Sequence, residues 1–331
     1  MTNRTLICAN CLGSVRTIDG SPAPTHEEVE ASSCWSVCRH SEQYPRRLLH
    51  LADPPDVIFG LGRRDLLAGL DGEVTGVTIV GSRRASRAGL EAAESISRDL
   101  SNSGIVVISG MALGIDSAAH RGALAGSAPT VAVLGCGPDF CYPRRLEPIY
   151  RQILERGSII SELPPGSEPR PWTFPARNRI MAALGGMTLV VEAKRKSGSL
   201  ITAAMAADIG REIGAMPAPV AALSGEGANA LLRDGAAVIR HADDVVDSLL
   251  GPGRDSVRQL ATGPRLAPDL FDVLETVERV SGTVDEIALF DSADPDAVAV
   301  ALARLEILGY IERGRGGRFE RTNLATPRMA L

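Results

Sequence analysis

A unit of strand, short loop and helix recurs along this chain, and the recurrence limits its fold more than any other feature. Apolar runs rich in β-branched residues lie at 77–80, 105–108, 131–134, 159–160 and 189–191. Small residues and then a helical pattern follow the first three runs. Strands that alternate with helices predict a parallel sheet with helices on both faces, which is the α/β class.

Two clusters of basic residues follow two of these predicted strands. Their members are Arg83, Arg84 and Arg87 after the strand at 77–80, and Lys194, Arg195 and Lys196 after the strand at 189–191. Parallel strands end at one edge of the sheet, where α/β proteins bind ligands, so we expect both clusters there. The formal net charge is −5 and the pI is about 5.7. A polyanion is therefore expected to bind a local basic patch.

The residues around the basic clusters suit phosphate groups. Loops of small residues at 81–82, 109–110 and 135–137 let a phosphate chain approach backbone N–H groups closely. Ser197 and Gly198 open a helical pattern, and a helix start binds phosphate oxygens. Neither G-x-G-x-x-G nor G-x-x-x-x-G-K-[ST] occurs in these loops, which argues against a dinucleotide or a P-loop triphosphate.

Length and composition indicate an ordinary soluble protein of two or three domains. The 331 residues are 44% hydrophobic and 23% charged. No run of 18 uncharged apolar residues occurs, and the first residues lack the apolar region and cleavage site of a signal peptide. We expect a cytoplasmic protein without a membrane segment, whose six cysteines are thiols.

Four cysteines near the N-terminus have spacings that a zinc site uses. Cys8 and Cys11 form one short pair, and Cys34 and Cys38 form a second. The second pair has three intervening residues, and buried free cysteine is common in protein interiors. We therefore favour thiols over zinc and predict no cofactor.

The chain from residue 251 onwards predicts a linker and a smaller domain. Residues 251–268 are rich in glycine and proline. Three helical patterns and a hairpin follow over 269–325, which predicts a winged helix, a fold that usually binds duplex DNA. This segment holds 12 acidic and 6 basic residues, so we expect a protein-contact domain. Within it, the part expected to approach nucleic acid is the set of hairpin arginines, Arg313, Arg315, Arg318 and Arg321.

Five ordered motifs closely resemble those of the DNA-processing protein A family (DprA, also called Smf). They are VGSR at 80–83, SGMALGIDSAAH at 109–120, AVLGCG at 132–137 with Tyr142-Pro143, FPARNR at 174–179 and SGSLITA at 197–203. The resemblance covers roughly residues 43–250 and, more weakly, the C-terminus. It implies an extended Rossmann-like domain that binds single-stranded DNA, forms a homodimer, protects incoming DNA and loads the recombinase RecA in natural transformation.

The same resemblance, carried over motif by motif, implies a set of DNA-binding residues. They are Gly81, Ser82, Arg83, Phe174, Arg177, Asn178, Arg179, Ser197 and Gly198, to which the basic clusters add Arg84, Lys194 and Lys196. Phe174 either packs in the core or stacks on a base, and both interpretations stay open. The predicted domains are an N-terminal segment with the cysteine pairs (1–70), the Rossmann-like DNA-binding domain (71–250), the linker (251–268) and the winged helix (269–325).

We expect a binding protein rather than an enzyme, because no nucleophile, base and orienting group converge. Asp116 and His120 share one helix face and are expected to cap or pair within the protein. Glu162 and Glu192 end predicted strands, and we expect them to order neighbouring arginines rather than to act as an acid and a base.

Other classes of function remain open. A sensor that binds a small nucleotide would use the same loops, since they hold one phosphate as well as a chain of them. A nucleotide-processing enzyme on the same scaffold is less favoured, because the P-G-G-x-G-T-x-x-E signature of lysine decarboxylase-like phosphoribohydrolases is absent. A transcriptional regulator would need a basic recognition surface, which residues 269–325 lack.

Overall fold

Ten strands form one sheet in the first of two compact units, Met1–Val257 and Arg258–Leu331. The computed structural model describes residues 5–6, 34–70, 76–251, 266–280, 282–291 and 293–322, and the strand count refers to these residues. The strands are β1 (Thr5–Leu6), β2 (Trp35–Cys38), β3 (Val57–Gly62), β4 (Gly76–Val80), β5 (Val106–Ser109), β6 (Thr130–Val133), β7 (Ser158–Ser161), β8 (Met187–Val190), β9 (Glu212–Ala215) and β10 (Ala237–Val238).

Seven neighbouring strands of the sheet are parallel, as the alternation of strands and helices predicts; in spatial order they are β7, β6, β5, β4, β8, β9 and β10. Its spatial order is β1-β2-β3-β7-β6-β5-β4-β8-β9-β10. Strand β3 runs antiparallel to both of its neighbours, β2 and β7, and β1 runs parallel to β2. The predicted α/β class with an extended Rossmann-like sheet is therefore confirmed.

Helices cover both faces of this sheet. They are α1 (Asp65–Gly69), α2 (Arg87–Asn102), α3 (Ile115–Ala125), α4 (Glu147–Arg156), α5 (Thr173–Leu184), α6 (Gly198–Asp208), α7 (Glu226–Arg233) and α8 (Ala242–Leu250). Alternate residues of a strand face opposite sides. Ile79 accordingly packs in the core with α2, α3 and α8, while Val80 packs in the core with α5, α6 and α7. No helix in the described residues is both long and apolar enough to cross a bilayer.

The N-terminal segment contributes strands to the same sheet, so the domain boundary predicted at residue 70 is wrong. Strand β2 pairs with β3 and β3 pairs with β7, which places residues 35–62 in the first unit. The physical reason is that β3 supplies an apolar edge that continues the hydrogen-bonded ladder of β7. Short strands of this kind carry little local signal, because their pairing depends on distant segments.

The same strands bear on the cysteine spacing that a zinc site would use. Cys34 directly precedes β2 and Cys38 is its last residue, and both are buried. An extended strand holds residues this far apart at least about 10 Å from each other. Two thiolates on one zinc ion lie much closer, since each Zn–S bond is about 2.3 Å long. This pair therefore cannot ligate one ion, and Cys8 and Cys11 lie outside the described residues.

The second unit contains three helices and a hairpin. The elements are α9 (Pro268–Arg279), α10 (Val284–Asp291), α11 (Pro295–Ile307), β11 (Ile311–Arg313) and β12 (Phe319–Arg321), with β11 and β12 antiparallel. A capping box opens α10: Thr283 N donates to Glu286 Oε2 at 3.0 Å, and Glu286 N donates to Thr283 Oγ1 at 3.5 Å. The element order fits the predicted winged helix, and that identification stays a prediction. So does the linker boundary, since residues 252–265 lie outside the described part.

Three of the four hairpin arginines are engaged within this unit. Arg318 pairs with Glu286 at 3.1 Å, and Arg321 pairs with Glu278 at 2.7 Å. The Arg313 guanidinium lies 5.4 Å from the centre of the Phe319 ring. These contacts reduce what the hairpin can offer to a phosphate, so they weigh against the expectation that it approaches nucleic acid.

The close contact between α2 and α3 depends on a glycine. A Cβ atom at Gly122 would collide with the Glu94 carbonyl oxygen of α2. Gly122→Ala should therefore force the two helices apart and lower the free energy of unfolding by about 1–3 kcal/mol. Urea denaturation measures this change. Gly198→Ala is the control, because a Cβ there meets no atom within 4 Å, and an equal loss in both variants would contradict the packing argument.

Candidate nucleic-acid interface

A cavity of about 400 Å³ opens at the carboxyl edge of the sheet, at its topological switch point. From β4 the chain builds β5, β6 and β7 on one side and then crosses to β8 on the other, so β4 and β8 are neighbours. Open α/β sheets bind ligands at this position. We call it the rim cavity; it is lined by Val80, Gly81, Ser82, Arg83, Arg84, Ala112, Asp116, Phe174, Pro175, Arg177, Asn178, Met181, Lys194, Lys196, Ser197, Gly198, Ser199, Ile201 and Thr202.

The structure brings together eleven of the twelve residues that the sequence predicted for binding. The two basic clusters meet because the loops after β4 and β8 are adjacent. Helix α5 adds Phe174, Arg177 and Asn178, and the start of α6 adds Ser197 and Gly198. The exception is Arg179, which does not line the cavity.

Four cations at the mouth of the rim cavity point to an anionic ligand. Arg83, Arg84, Lys194 and Lys196 are exposed, and none of them forms an ion pair with a described residue. The carboxylate among the lining residues is that of Asp116. The local charge is therefore positive in a protein of net charge −5, and a phosphate backbone fits this mouth.

The loops around the cations expose hydrogen-bond donors. Ser197 is the N-cap of α6, with its hydroxyl accepting from Ser199 N at 3.4 Å, and the first turn of α6 has no acidic residue. The positive end of the helix therefore faces the cavity. At Gly81 a Cβ atom would lie 2.9 Å from the Glu192 carbonyl oxygen, so this tight loop after β4 requires glycine.

Phe174 supplies an aromatic surface at the cavity wall. The Arg83 guanidinium lies 5.7 Å from the ring centre, and the Tyr142 ring lies 5.6 Å away at an interplanar angle of 40°. The Phe174 side chain is half-buried. A base that enters the cavity therefore meets a ring whose orientation is fixed by two neighbours.

Arg177 forms the floor of the cavity rather than its mouth. Its guanidinium is buried and donates to the carbonyl oxygens of Gly110, at 2.7 Å, and Val133. Burial lowers the pKa of Arg177 to about 10. A Cβ atom at Gly110 would overlap this guanidinium, which explains the glycine after β5. That Arg177 binds DNA stays a prediction, and the two carbonyl groups that occupy one side of its fork weigh against it.

Two buried donors on this floor lack partners among the described residues. They are Arg177 Nε and Thr202 Oγ1. Asp116 lies beside them; burial raises the pKa of its carboxyl group and the Arg177 charge lowers it, with burial the larger effect. Sequence reasoning missed Asp116 and Thr202 as cavity residues, although both lie within the quoted motifs at 109–120 and 197–203.

Arg179 is neutralised by Glu162. The two side chains form a bidentate pair at 2.7 and 2.8 Å and are only 13% and 15% exposed. The expectation that Glu162 orders a neighbouring arginine is therefore confirmed. That Arg179 binds DNA stays a prediction, and the structure weighs against it because a carboxylate already satisfies its fork.

Glu192 and His120 are also engaged inside the protein. Glu192 accepts hydrogen bonds from the backbone N–H of Ser86 at 3.1 Å and from its hydroxyl at 2.6 Å, at the start of α2, so it orders a helix start and not an arginine. His120 Nδ1 lies 2.9 Å from Thr130 Oγ1, and burial lowers the pKa of the ring to about 3. The ring is therefore neutral at neutral pH. Asp116 caps the loop before its own helix, 3.4 Å from Ala112 N.

The Arg179–Glu162 pair makes a stability prediction. Arg179→Ala should lower the free energy of unfolding by on the order of 3 kcal/mol, because it leaves a largely buried carboxylate without its partner. Replacing both residues, as Arg179→Ala with Glu162→Gln, should recover much of that loss. A double-mutant cycle measured by urea denaturation tests this. Simple additivity of the two single changes would show that the pair is not coupled.

Comparison with known proteins places the chain in a family. A sequence model described as DNA recombination-mediator protein A matches residues 35–250. Protein Smf of Synechocystis sp. is 34% identical over 327 residues, which cover 89% of this chain and 82% of that protein. DNA processing protein DprA of Streptococcus pneumoniae is 37% identical over 203 residues, which cover 61% and 70%.

Solved structures agree with this assignment. The X-ray structure of DNA processing protein A from Streptococcus pneumoniae has a TM-score of 0.61 and 36% identity, covering 65% of this chain and 74% of that one. DNA processing protein A from Helicobacter pylori has a TM-score of 0.58 and 29% identity, covering 66% and 95%. The resemblance in the five motifs is confirmed, and the chain belongs to the DNA recombination-mediator protein A family.

Proposed function

We propose that this chain binds single-stranded DNA at the rim cavity, protects it and delivers it to a RecA-type recombinase. The observation that carries the proposal is the meeting of four exposed cations, a helix start and an aromatic ring in one cavity. The Helicobacter pylori relative, whose single-stranded DNA binding mode is known, supports the same ligand.

Different residues of the cavity suit the phosphates and the bases of a DNA strand. Arg83, Lys194 and Lys196 suit the phosphates, and these contacts carry no sequence information. The Phe174 ring suits a base, because every base has a face that stacks. The cavity is therefore expected to bind strands of any sequence.

Single strands fit this arrangement better than duplexes. A base can stack on Phe174 only if its own face is free, and in a duplex both faces are covered by neighbouring pairs. The ring lies in a recessed cavity and not on a projecting helix that could enter a groove.

A nucleotide sensor is the second candidate, because a cavity of about 400 Å³ is of a size that binds small molecules. Affinities for dT oligomers of one to twelve nucleotides separate the two functions. A sensor reaches its full affinity with a mononucleotide, whereas a strand binder gains affinity over several nucleotides.

The function proposed is binding without catalysis. Each candidate acid or base near the cavity has a structural role: Glu162 binds Arg179, Glu192 binds Ser86, and His120 is buried and neutral. Asp116 remains, and no nucleophile in hydrogen-bond contact with it occurs among the described residues. We expect ATP and DNA to emerge intact from incubation with the protein.

The lysines of the rim make the main binding prediction. Lys194→Ala with Lys196→Ala should weaken binding to all dT and mixed oligomers alike. Each lost phosphate contact should also flatten the slope of log K against log salt by about 0.7. Phe174→Ala should instead weaken binding by about 1–3 kcal/mol and leave the slope unchanged. Fluorescence anisotropy at several salt concentrations measures both effects.

The control for these variants is Arg233→Ala, which removes an exposed cation that pairs with Asp234 and does not line the cavity. Its binding should equal that of the parent. If the double lysine variant stays folded and binds dT oligomers with the parent's affinity and salt slope, the rim cavity is not the DNA site.

Delivery to RecA makes a separate prediction, supported by membership of a recombination-mediator family. RecA hydrolyses ATP slowly on DNA that is coated with single-strand-binding protein. Adding this chain should shorten the lag before hydrolysis, and the double lysine variant should not. An unchanged lag with intact DNA binding would show that the protein does not deliver DNA to RecA.

Light scattering would test the homodimer that the family resemblance implies.

A further inference from the structure

A second cavity of about 250 Å³ lies at the start of α5. It lies between the loop at 163–172 and the first residue of that helix, and we call it the Trp172 cleft. Leu163, Glu168, Arg170 and Trp172 are among the side chains that line it. None of them belongs to the binding set derived from the sequence.

The cleft and the rim cavity are lined by two consecutive residues. Thr173 lines the cleft and Phe174 lines the rim cavity. Consecutive Cα atoms are about 3.8 Å apart, so the cleft is within the reach of a strand that passes Phe174. Tyr142 contacts Phe174 and is 44% exposed, which extends the aromatic surface beyond the rim cavity.

The walls of the cleft are fixed by hydrogen bonds. Gly137 N donates to Ser167 O at 2.8 Å, and Gly166 N donates to the Asp139 carboxylate at 2.9 Å. The Thr173 hydroxyl also lies 2.7 Å from Arg170 O. The loop is thereby tied to the loop after β6, so the cleft is formed before a ligand arrives.

The charges of the cleft differ from those of the rim cavity. Glu168 and Arg170 carry opposite charges, so the lining offers no net attraction to a phosphate. Its other features are the buried Leu163 side chain and the Trp172 ring, which is 41% exposed. An aromatic ring, an apolar floor and a few polar groups suit a nucleobase.

From these observations we infer that the Trp172 cleft binds a base of the same strand, one step beyond the rim cavity, by stacking on Trp172. The inference rests on the proposed function. The phosphates of that strand are held at the rim, and the cleft adds affinity only for strands long enough to reach it.

Tryptophan fluorescence tests the inference directly. The chain has two tryptophans; Trp35 is buried on β2, where its Nε1 donates to Gly62 O at 3.1 Å, and Trp172 is exposed. In full-length protein, dT oligomers that span both cavities should quench the emission, and dT dinucleotides that fill only the rim cavity should not. Absence of quenching by saturating dT twelve-mers would overturn the inference.

Variants supply the second readout. Trp172→Ala should weaken binding of the dT twelve-mer about 5- to 150-fold, leave dinucleotide affinity within twofold and leave the salt slope unchanged. Trp172→Phe should restore most of the affinity. Val238→Ala, on the exposed edge strand β10, is the control and should bind like the parent.

The outcomes separate this inference from the proposed function. If the parent binds the twelve-mer through its rim lysines and Trp172→Ala binds equally well, the inference fails and the function stands. A loss that is equal for the dinucleotide and the twelve-mer would also overturn the inference, since it would indicate a structural role. If the parent binds no oligomer, both fail.

Discussion

The hydrogen bonds of the buried Arg177 guanidinium hold α5 against the ends of β5 and β6, and the rim cavity depends on them. A buried cation is stable only when its donors are satisfied and an opposite charge is near. The carbonyl groups of Gly110 and Val133 and the neighbouring Asp116 carboxyl group meet most of that need, although Arg177 Nε has no partner among the described residues. The contact in turn places Phe174, one turn earlier on α5, at the cavity wall. The buried hydrogen bonds of Arg177 therefore fix the position of Phe174 at the wall of the rim cavity.

Cations that look equivalent in the sequence have different roles because of helix geometry. Arg177 and Arg179 are two residues apart on α5, and residues at that spacing point about 200° apart around a helix. One guanidinium therefore lies under the cavity, and the other turns away to Glu162. The exposed lysines after β8 lie on a loop and keep their charge for a ligand. The forked guanidinium suits a fixed pair, and the flexible ammonium suits a phosphate that moves.

Much of the first unit could be predicted from the sequence, because its strands and helices alternate. The strand predicted at 77–80 is β4 (Gly76–Val80), and the strand predicted at 131–134 is β6 (Thr130–Val133). Because α/β proteins bind ligands at the edge where their parallel strands end, Arg83 and Lys194, which each follow a strand, could be predicted to lie together. Strand β2 escaped prediction, and so did the identity of Arg179 as the arginine that Glu162 binds, because each depends on a partner that is distant in the chain. The local sequence pattern does not indicate which distant segment a residue will contact.

The acidic character of the whole chain and the basic rim are compatible because charge acts locally at physiological salt. Screening reduces the field of a surface charge within about 8 Å, so distant carboxylates do not cancel the rim cations. In the second unit, helix α11 exposes Val300 and Ile307 where a groove-reading helix would carry cations or amides. The arginines at 318 and 321 are paired with acidic side chains of the same unit. Nucleic-acid affinity is therefore expected to come from the first unit, where the four exposed cations of the rim cavity have no carboxylate partner among the described residues.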